Sequence, residues 1–194
     1  MANQPMASIV LPYRNSERTL KRCLDSIFKQ TLKNWELIAV NDCSKDASHK
    51  VLESFQKIDD RIKSFNSHGR GIVDALNFGI SSANSEIIIR MDSDDEMQPD
   101  RIKKQVEFLD VNSSVDLVSS KVLYKTDNIQ AFNGKGYSHY VDWTNQILSQ
   151  NEIQLHRFEE SPFAHPSVTF RRTLIDKYGP YRDGNFPEDY ELWL

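Results

Sequence analysis

The chain has 194 residues, which is enough for one ordinary domain but too few for two full ones. Its 24 basic and 28 acidic side chains give a net charge of −4, so it lacks the basic field of a nucleic-acid-binding protein. Two cysteines are too few for a disulfide framework, and no apolar run approaches the ~18 residues of a membrane-spanning helix. The start also lacks the pattern of a signal peptide, so we expect a cytoplasmic globular protein without a membrane span.

The first 112 residues alternate short apolar runs with segments of helical periodicity. Continuous apolar runs, typical of strands buried on both faces, lie at residues 8–11, 35–40 and 86–91, and a shorter alternating strand lies at 61–65. Apolar positions at helical spacing predict helices over residues 16–28, 51–58, 72–83 and, after Pro99, 102–109. Buried strands separated by amphipathic helices predict a doubly wound α/β fold with a mainly parallel sheet.

Beyond residue 112 the pattern becomes mixed and irregular. We expect strands at 115–118, 121–124 and 167–170, a turn at 133–136, and helices at 142–148 and 171–178. Residues 188–194 have the pattern of the first turns of an amphipathic helix, too short to be stable alone, which predicts a fragment cut within an element of a longer polypeptide. No repeat or flexible linker separates the halves, so we expect a single domain over residues 1–194.

Three clusters of polar residues follow predicted strands. They lie at residues 12–15, 41–46 and 92–95. Each cluster alone fits an ordinary turn or helix cap, in which Asp and Asn are frequent. Doubly wound sheets, however, bind ligands at the carboxyl ends of their strands. Together the three clusters therefore predict a ligand site at this edge.

The Asp-Ser-Asp-Asp sequence at residues 92–95 predicts a metal site. Carboxylates this close repel one another, and a hard cation such as Mg²⁺ or Mn²⁺ removes that repulsion while joining the protein to substrate phosphates. An exposed acidic turn before the next helix is the alternative. A calcium loop of the EF-hand type is excluded, because Met97 and Lys103 stand where it needs Gly and Glu. P-loop and dinucleotide fingerprints are also absent from the sequence.

Three further positions carry weaker signals. Glu188 and Asp189 precede a helical pattern, where they are either helix caps or a pair that includes a carboxylate base. His165 either contacts an acceptor or fills a turn. Arg70 stands between two glycines, where a loop can bring a guanidinium onto a phosphate.

Taken together, these segments resemble the family 2 glycosyltransferases, which have the GT-A fold. The resemblance runs in order along the chain and is carried by residues 8–15, 36–46, 75–79, 92–95 with 99–101, 165–172 and 188–194. No single segment is diagnostic, whereas the ordered set is specific. The resemblance covers the chain from residue 8 to its last residue.

The resemblance implies roles for several of the candidate residues, and the remaining ones are kept from their positions in the sequence. Asp189 is the expected catalytic base, and Asp92 and Asp94 are the expected ligands of a divalent metal, Mn²⁺ or Mg²⁺. Asp42 is expected to bind the nucleotide base. The full nucleotide-binding set comprises Pro12, Arg14, Asp42, Arg70, Asp92 and Ser93. Glu188 and His165 are weaker candidates on the acceptor side.

Two positions depart from the family pattern. Arg14 stands where the family often has Tyr, and Cys43 stands where it often has Gly. The first difference changes the packing around the base or ribose. The second makes the backbone of the loop less free. Both affect the choice of nucleotide and not the class of reaction.

We therefore expect an inverting, metal-dependent glycosyltransferase of polysaccharide biosynthesis that uses a nucleotide-diphosphate sugar, with UDP-sugars favoured. Residues 1–112 are expected to bind the donor and residues 113–194 to face a glycan, lipid-linked or other hydroxyl acceptor. The expected location is the cytoplasm, including a peripheral place at the inner face of the membrane. One alternative is a phosphohydrolase with an Asp nucleophile, although Glu96 stands where that class wants Thr or Val. The other is a nucleotide- or carbohydrate-binding module without catalysis.

Overall fold

The computed structural model describes residues 4–69, 71–125 and 135–193. Arg70 and the first two residues of the predicted turn at 133–136 lie outside this range. The strands are β1 Ala7–Tyr13, β2 Trp35–Asn41, β3 Ile62–Asn66, β4 Ile87–Arg90, β5 Leu117–Ser119 and β6 Val168–Arg171. The helices are α1 Leu20–Phe28, α2 Ser48–Gln56, α3 Ile72–Ser81, α4 Arg101–Val111, α5 Lys135–Thr144, α6 Gln150–His156, α7 Arg172–Tyr178 and α8 Glu188–Trp193.

The strands form one mixed sheet in the order β3-β2-β1-β4-β6-β5. The first four strands are parallel, and β6 runs antiparallel to both of its neighbours. In the register of the sheet, Tyr13 lies beside Asn41 and Asn41 lies beside Asn66, so β1, β2 and β3 end together. The loops that follow these strands therefore start from one edge, as the sequence predicts.

Helices cover both faces of the sheet, which explains the continuous apolar runs in β1, β2 and β4. Alternate side chains of β1 belong to two different hydrophobic cores. Ile9 and Leu11 pack with α1, α2 and α4, whereas Val10 packs with α3 and α7. Each core needs an apolar side chain at every second position, so a strand between two cores reads as a continuous apolar run. The expected doubly wound α/β fold is confirmed. In the part of the chain that the structure describes, no helix is long and apolar enough to cross a membrane.

Two buried glutamines position α4 and the loop before it. Gln30, which is fully buried, donates to the Gln98 carbonyl at 2.8 Å and accepts from the Ile102 amide at 3.1 Å. Gln105 donates to the Ser167 carbonyl at 2.8 Å and accepts from the Thr169 hydroxyl at 2.7 Å. Because buried amides lose free energy when their partners are removed, these bonds fix the loop at residues 92–100 between α1 and β6.

The second half differs from the prediction in several places. The strand expected at 121–124 is not formed, and the strand expected at 115–118 lies at Leu117–Ser119. At Val122 the side chain of Asn145 replaces a neighbouring strand: it accepts from the Val122 amide at 2.9 Å and donates to the Val122 carbonyl at 2.8 Å. The helix expected at 142–148 occupies Lys135–Thr144 instead, so part of the predicted turn is helical.

Helix α6 was not predicted. It begins with a capping box in which the Ser149 hydroxyl accepts from the Glu152 amide and the Glu152 carboxylate accepts from the Ser149 amide. The Ser-x-x-Glu pattern at residues 149–152 is the sequence signal that predicts the start of this helix. The strand expected at 167–170 and the helix expected at 171–178 are confirmed, each shifted by one residue at one or both ends.

Gly79 allows α3 to approach β1 closely. A Cβ atom at this position would lie 2.6 Å from Cγ1 of Val10. We therefore expect Gly79→Ala to lower the free energy of unfolding by about 1–3 kcal/mol through overpacking, despite the higher helix propensity of Ala. Urea unfolding measures this change. Gly136→Ala is the control, because a Cβ atom there meets nothing within 4 Å; equal stability of the two variants would contradict the packing argument.

Candidate active site

The first part of the site is a carboxylate between the ends of β1, β2 and β3. Asp42 accepts hydrogen bonds from Nη1 of Arg14 at 3.3 Å and from the Ser67 hydroxyl at 3.1 Å. Its side chain is 7% exposed, whereas that of Arg14 is 58% exposed. A carboxylate has about four lone-pair positions, so Asp42 can accept a further bond from a ligand. Pro12 lies within β1, one residue before Tyr13, whose carbonyl accepts from the Asp42 amide at 2.9 Å.

The loops after β1 and β2 are joined to each other by hydrogen bonds. Oδ1 of Asn15 accepts from the Lys45 amide at 2.8 Å, and the Asn15 amide donates to the Ser44 hydroxyl at 3.1 Å. Each loop contains a residue in the left-handed region, Asn15 at φ 50° and Cys43 at φ 55°. Such values are unfavourable for a side chain that has a Cβ atom and cannot bond locally, so the glycine-like conformation at Cys43 carries backbone strain.

The loop after β4 meets the loop after β1. The hydroxyls of Ser16 and Ser93 are hydrogen-bonded at 2.7 Å. Asp92 accepts from Nη2 of Arg90 at 2.6 Å, and the Arg90 side chain is 3% exposed. Asp92 is therefore held in one orientation by a buried guanidinium, whereas Asp94 is exposed.

The acidic loop has the donor chemistry of a site for a hard cation. Partial burial and the charges of Asp92 and Asp94 raise the pKa of Asp95 to about 6, because each negative charge disfavours ionisation of its neighbour. Among the described residues, no group of three or more His, Cys, Asp or Glu side chains is arranged to hold a metal ion alone. Two carboxylates suit Mg²⁺ or Mn²⁺, which complete their coordination with substrate phosphates and water.

Asp189 lies near the start of α8 and faces the same region. Burial raises the pKa of Asp189, and the charge of Asp92 raises it further, while Arg90 opposes the change. Nδ1 of His165 lies 3.9 Å from Oδ2 of Asp189, and its Nε2 lies 2.9 Å from the Tyr181 hydroxyl. Burial and the charge of Arg90 lower the pKa of His165 well below its usual value, so the imidazole is neutral and the contact is not an ion pair.

The structure brings most of the expected site residues to one edge of the sheet. Asp42 and Arg14 form one group of side chains. Asp92, Asp189 and His165 form a second group. Ser93 joins the acidic loop to the loop after β1. Glu188 is half-buried beside Asp189 on α8. Arg70 is outside the described residues.

Arg90 and Tyr181 contact the candidate site residues Asp92 and His165 but were not predicted from the sequence as part of the site. The signal for Arg90 is present, because a charged residue ends the otherwise apolar strand Ile87–Arg90 and a buried charge needs a partner. Tyr181 has no comparable local signal. It lies in an irregular segment, and only the fold brings it beside His165.

Two clefts lie on opposite faces of the sheet. The smaller, of about 420 Å³, is polar and is lined by the segment from Arg14 to Thr19 together with Asp46, Ser93 and Asp94. The larger, of about 530 Å³, lies between α3 and α7 beside Phe78 and Ile175. The smaller cleft borders the acidic loop, so we take it to be part of the candidate active site.

Comparisons with known proteins identify the class to which this fold and site belong. The family model described as Glycosyl transferase family 2 matches residues 8–179. The chain therefore belongs to this family of glycosyltransferases, as the resemblance implied. Membership leaves the phosphohydrolase alternative without support.

One curated relative and two solved structures illustrate the likeness. The UDP-Gal:alpha-D-GlcNAc-diphosphoundecaprenol beta-1,3-galactosyltransferase of Escherichia coli is 31% identical over 184 residues, which cover 93% of this chain and 63% of that protein. The 1–349 fragment of S. aureus TarS in complex with UDP superposes with a TM-score of 0.70 at 20% identity, over 96% of this chain and 53% of that fragment. The mannosyltransferase PcManGT of Pyrobaculum calidifontis, in complex with GDP-Man and Mn²⁺, gives 0.72 at 18% identity, over 98% of this chain and 51% of that protein.

These structures confirm the GT-A fold. The chain spans between 30% and 70% of the length of the first three curated relatives that it matches.

The strain at Cys43 leads to a stability prediction. Cys43→Gly should be more stable than Cys43→Ala by about 1 kcal/mol, because glycine adopts positive φ at little cost whereas alanine retains the Cβ atom. Thermal or urea unfolding of the two variants measures the difference. An alanine variant at least as stable as the glycine variant would contradict the strained conformation.

Proposed function

We propose that this glycosyltransferase is an inverting, metal-dependent enzyme that moves a sugar from a nucleotide-diphosphate sugar, preferably a UDP-sugar, to a glycan or lipid-linked hydroxyl acceptor. One observation carries the proposal: β4, which ends at the acidic loop, pairs with β6, and His165 just before β6 lies 3.9 Å from Oδ2 of Asp189, so the acidic loop and Asp189 come to the same edge of the sheet. A base and a diphosphate-binding loop on either side of one space suit direct displacement at a sugar carbon.

Residues 1–112 would bind the donor in this proposal. Asp42 accepts a hydrogen bond from a ring N–H of the base, such as that of uracil, and its two existing donors hold the carboxylate in place. Arg14 is exposed enough to contact the ribose or phosphates, and Pro12 and Ser93 complete the nucleoside pocket. The UDP in TarS and the UDP-Gal in the name of the Escherichia coli relative support a uridine nucleotide.

Asp92 and Asp94 would hold Mn²⁺ or Mg²⁺ together with the diphosphate. When bound, such a cation supplies positive charge that stabilises the departing diphosphate. The chain's own contribution is orientation, because Arg90 fixes the Asp92 carboxylate before any ligand arrives. The Mn²⁺ in PcManGT supports this assignment.

Asp189 would act as the base that removes the proton from the acceptor hydroxyl. Its raised pKa makes the carboxylate a stronger base than an exposed Asp. In this proposal residues 113–194, including Glu188, face the acceptor, and the diphosphoundecaprenol in the name of the relative supports a lipid-linked one. The enzyme would then work at the cytoplasmic face of a membrane. None of the helices in the described residues is long and apolar enough to cross that membrane.

Replacing Asp42 tests the base-binding site. Asp42→Ala should weaken UDP binding by about 1–3 kcal/mol, because the ring N–H loses its acceptor. Isothermal titration calorimetry with UDP in Mn²⁺ measures the change. Asp25→Ala on the exposed face of α1 is the control and should bind UDP like the parent. Parental affinity in Asp42→Ala would show that this residue does not contact the base.

Replacing Asp94 tests the metal site. Because Asp92 and Asp94 repel a diphosphate when no cation is present, UDP should bind more tightly in Mn²⁺ than in EDTA. Asp94→Asn should lose this difference while its unfolding midpoint stays at the parental value. Asp100→Asn, a surface carboxylate paired with Lys104, should keep the difference. Equal affinity of the parent for UDP in EDTA and in Mn²⁺ would refute metal dependence.

Replacing Asp189 tests the chemistry. Asp189→Asn should lower kcat with the UDP-sugar donor by at least ~10²-fold. The affinity for UDP should change little, since the base acts on the acceptor. A variant with the parental rate would place the base elsewhere. If the whole protein bound UDP-sugars but transferred none, the binding-module alternative would be favoured instead.

A further inference from the structure

The position of Asp189 depends on contacts outside its own helix. Helix α8 runs from Glu188 to Trp193 and has only six residues. A helix of this length is not stable in water without tertiary packing. The groups that contact α8 therefore decide where the proposed base lies.

His165 contacts both ends of this short helix. At the start, its Nδ1 lies 3.9 Å from Oδ2 of Asp189. At the end, its ring lies edge-on to Trp193 with centroids 6.0 Å apart. Trp193 also packs against the rings of Phe170 at 5.9 Å and Tyr181 at 6.0 Å, so the helix is docked on an aromatic cluster that surrounds the imidazole.

The imidazole itself is fixed to the rest of the fold through Tyr181. Nε2 of His165 lies 2.9 Å from the Tyr181 hydroxyl. The backbone of Tyr181 exchanges two hydrogen bonds with the side chain of Asn77 on α3: its amide donates at 3.0 Å and its carbonyl accepts at 2.8 Å. Tyr181 is 2% exposed, so this connection runs through a packed interior.

The charges around the imidazole determine which nitrogen carries the proton. Burial and Arg90 keep His165 neutral, and burial raises the pKa of the Tyr181 hydroxyl, which therefore stays protonated. A neutral imidazole has one N–H and one acceptor nitrogen, and a carboxylate only accepts. With Nε2 accepting from the Tyr181 hydroxyl, the Nδ1 proton lies on the side of Asp189, whereas the other tautomer would place a lone pair of Nδ1 opposite the carboxylate.

We propose that His165, held by Tyr181, is a positioning residue that orients the Asp189 carboxylate towards the reacting hydroxyl. This inference rests on the proposed function, in which Asp189 is the base. It replaces the expectation that His165 contacts the acceptor, because both ring nitrogens face protein groups and the side chain is only 10% exposed. The imidazole exchanges no proton with substrate in this role.

A double-mutant cycle tests the functional part. His165→Phe keeps a ring against Trp193 but removes both nitrogens, and Tyr181→Phe removes only the hydroxyl. With whichever of UDP-glucose, UDP-galactose or UDP-N-acetylglucosamine is turned over fastest, His165→Phe should lower kcat by about tenfold or more, since misplacing a base is costly. Tyr181→Phe should have a smaller effect in the same direction. UDP affinity by calorimetry should not change.

The same changes in the Asp189→Asn background distinguish positioning from general support of the fold. If His165 acts through Asp189, neither change lowers the residual rate further. The proposal would be overturned if either change lowered kcat in the Asp189→Asn background by the same factor as in the parent. A parental kcat in His165→Phe would also overturn it. A parental rate in Asp189→Asn itself would refute the proposed base, and with it the function on which this inference depends. His49→Phe, at an exposed position on α2, is the control and should leave kcat unchanged.

A measurement without substrate tests the geometry in the intact chain. Nitrogen-15 NMR of labelled histidine should show His165 neutral at pH 7 with the proton on Nδ1, and Tyr181→Phe should shift the ring towards a mixture of the two tautomers. A charged ring, or a proton on Nε2 in the parent, would contradict the arrangement. Urea midpoints of the variants within error of the parent would show that a loss of kcat is not a loss of fold.

Discussion

A buried guanidinium stands at the centre of the candidate site. Arg90 ends β4 with its guanidinium almost completely buried, and it donates to Asp92 at 2.6 Å. A buried charge is costly unless it is paired, so the acidic loop after β4 also completes the fold. The same charge lowers the pKa of His165 and opposes the rise in the pKa of Asp189. One strand-end residue therefore orients Asp92 and acts to lower the pKa of both His165 and Asp189, in addition to the larger effect of burial on each of the two.

The parallel sheet explains why residues from distant parts of the sequence meet here. Because β1, β2 and β3 end together in the register, the loops that follow them share one edge, and β4 adds its acidic loop beside β1. The antiparallel strand β6 has a different consequence. Its amino-terminal end lies at the same edge, so His165 is brought to this edge directly before the strand begins. The groups proposed to bind the donor thus follow the parallel strands, whereas the residues around Asp189 come from the start of the antiparallel strand and the segments after it.

The first half of the fold could be predicted because its signals are local. Continuous apolar runs gave β1, β2 and β4, and helical spacing gave α1 to α4 with ends shifted by a few residues. The second half depends on contacts that no local pattern contains. The segment at 121–124 has a strand-like composition, but the side chain of Asn145 occupies the hydrogen bonds of Val122 that a neighbouring strand would use. Asp189 could be proposed from its motif, whereas the contact of His165 with it exists only in the folded chain.

A crystal structure of the chain with UDP and Mn²⁺ would show whether the loops after β1, β2 and β4 form one nucleotide site. We expect uracil within hydrogen-bonding distance of Asp42, and the diphosphate and Mn²⁺ beside Asp94 on the side that faces Asp189. UDP bound instead in the larger cleft between α3 and α7, next to Phe78 and Ile175, would contradict it.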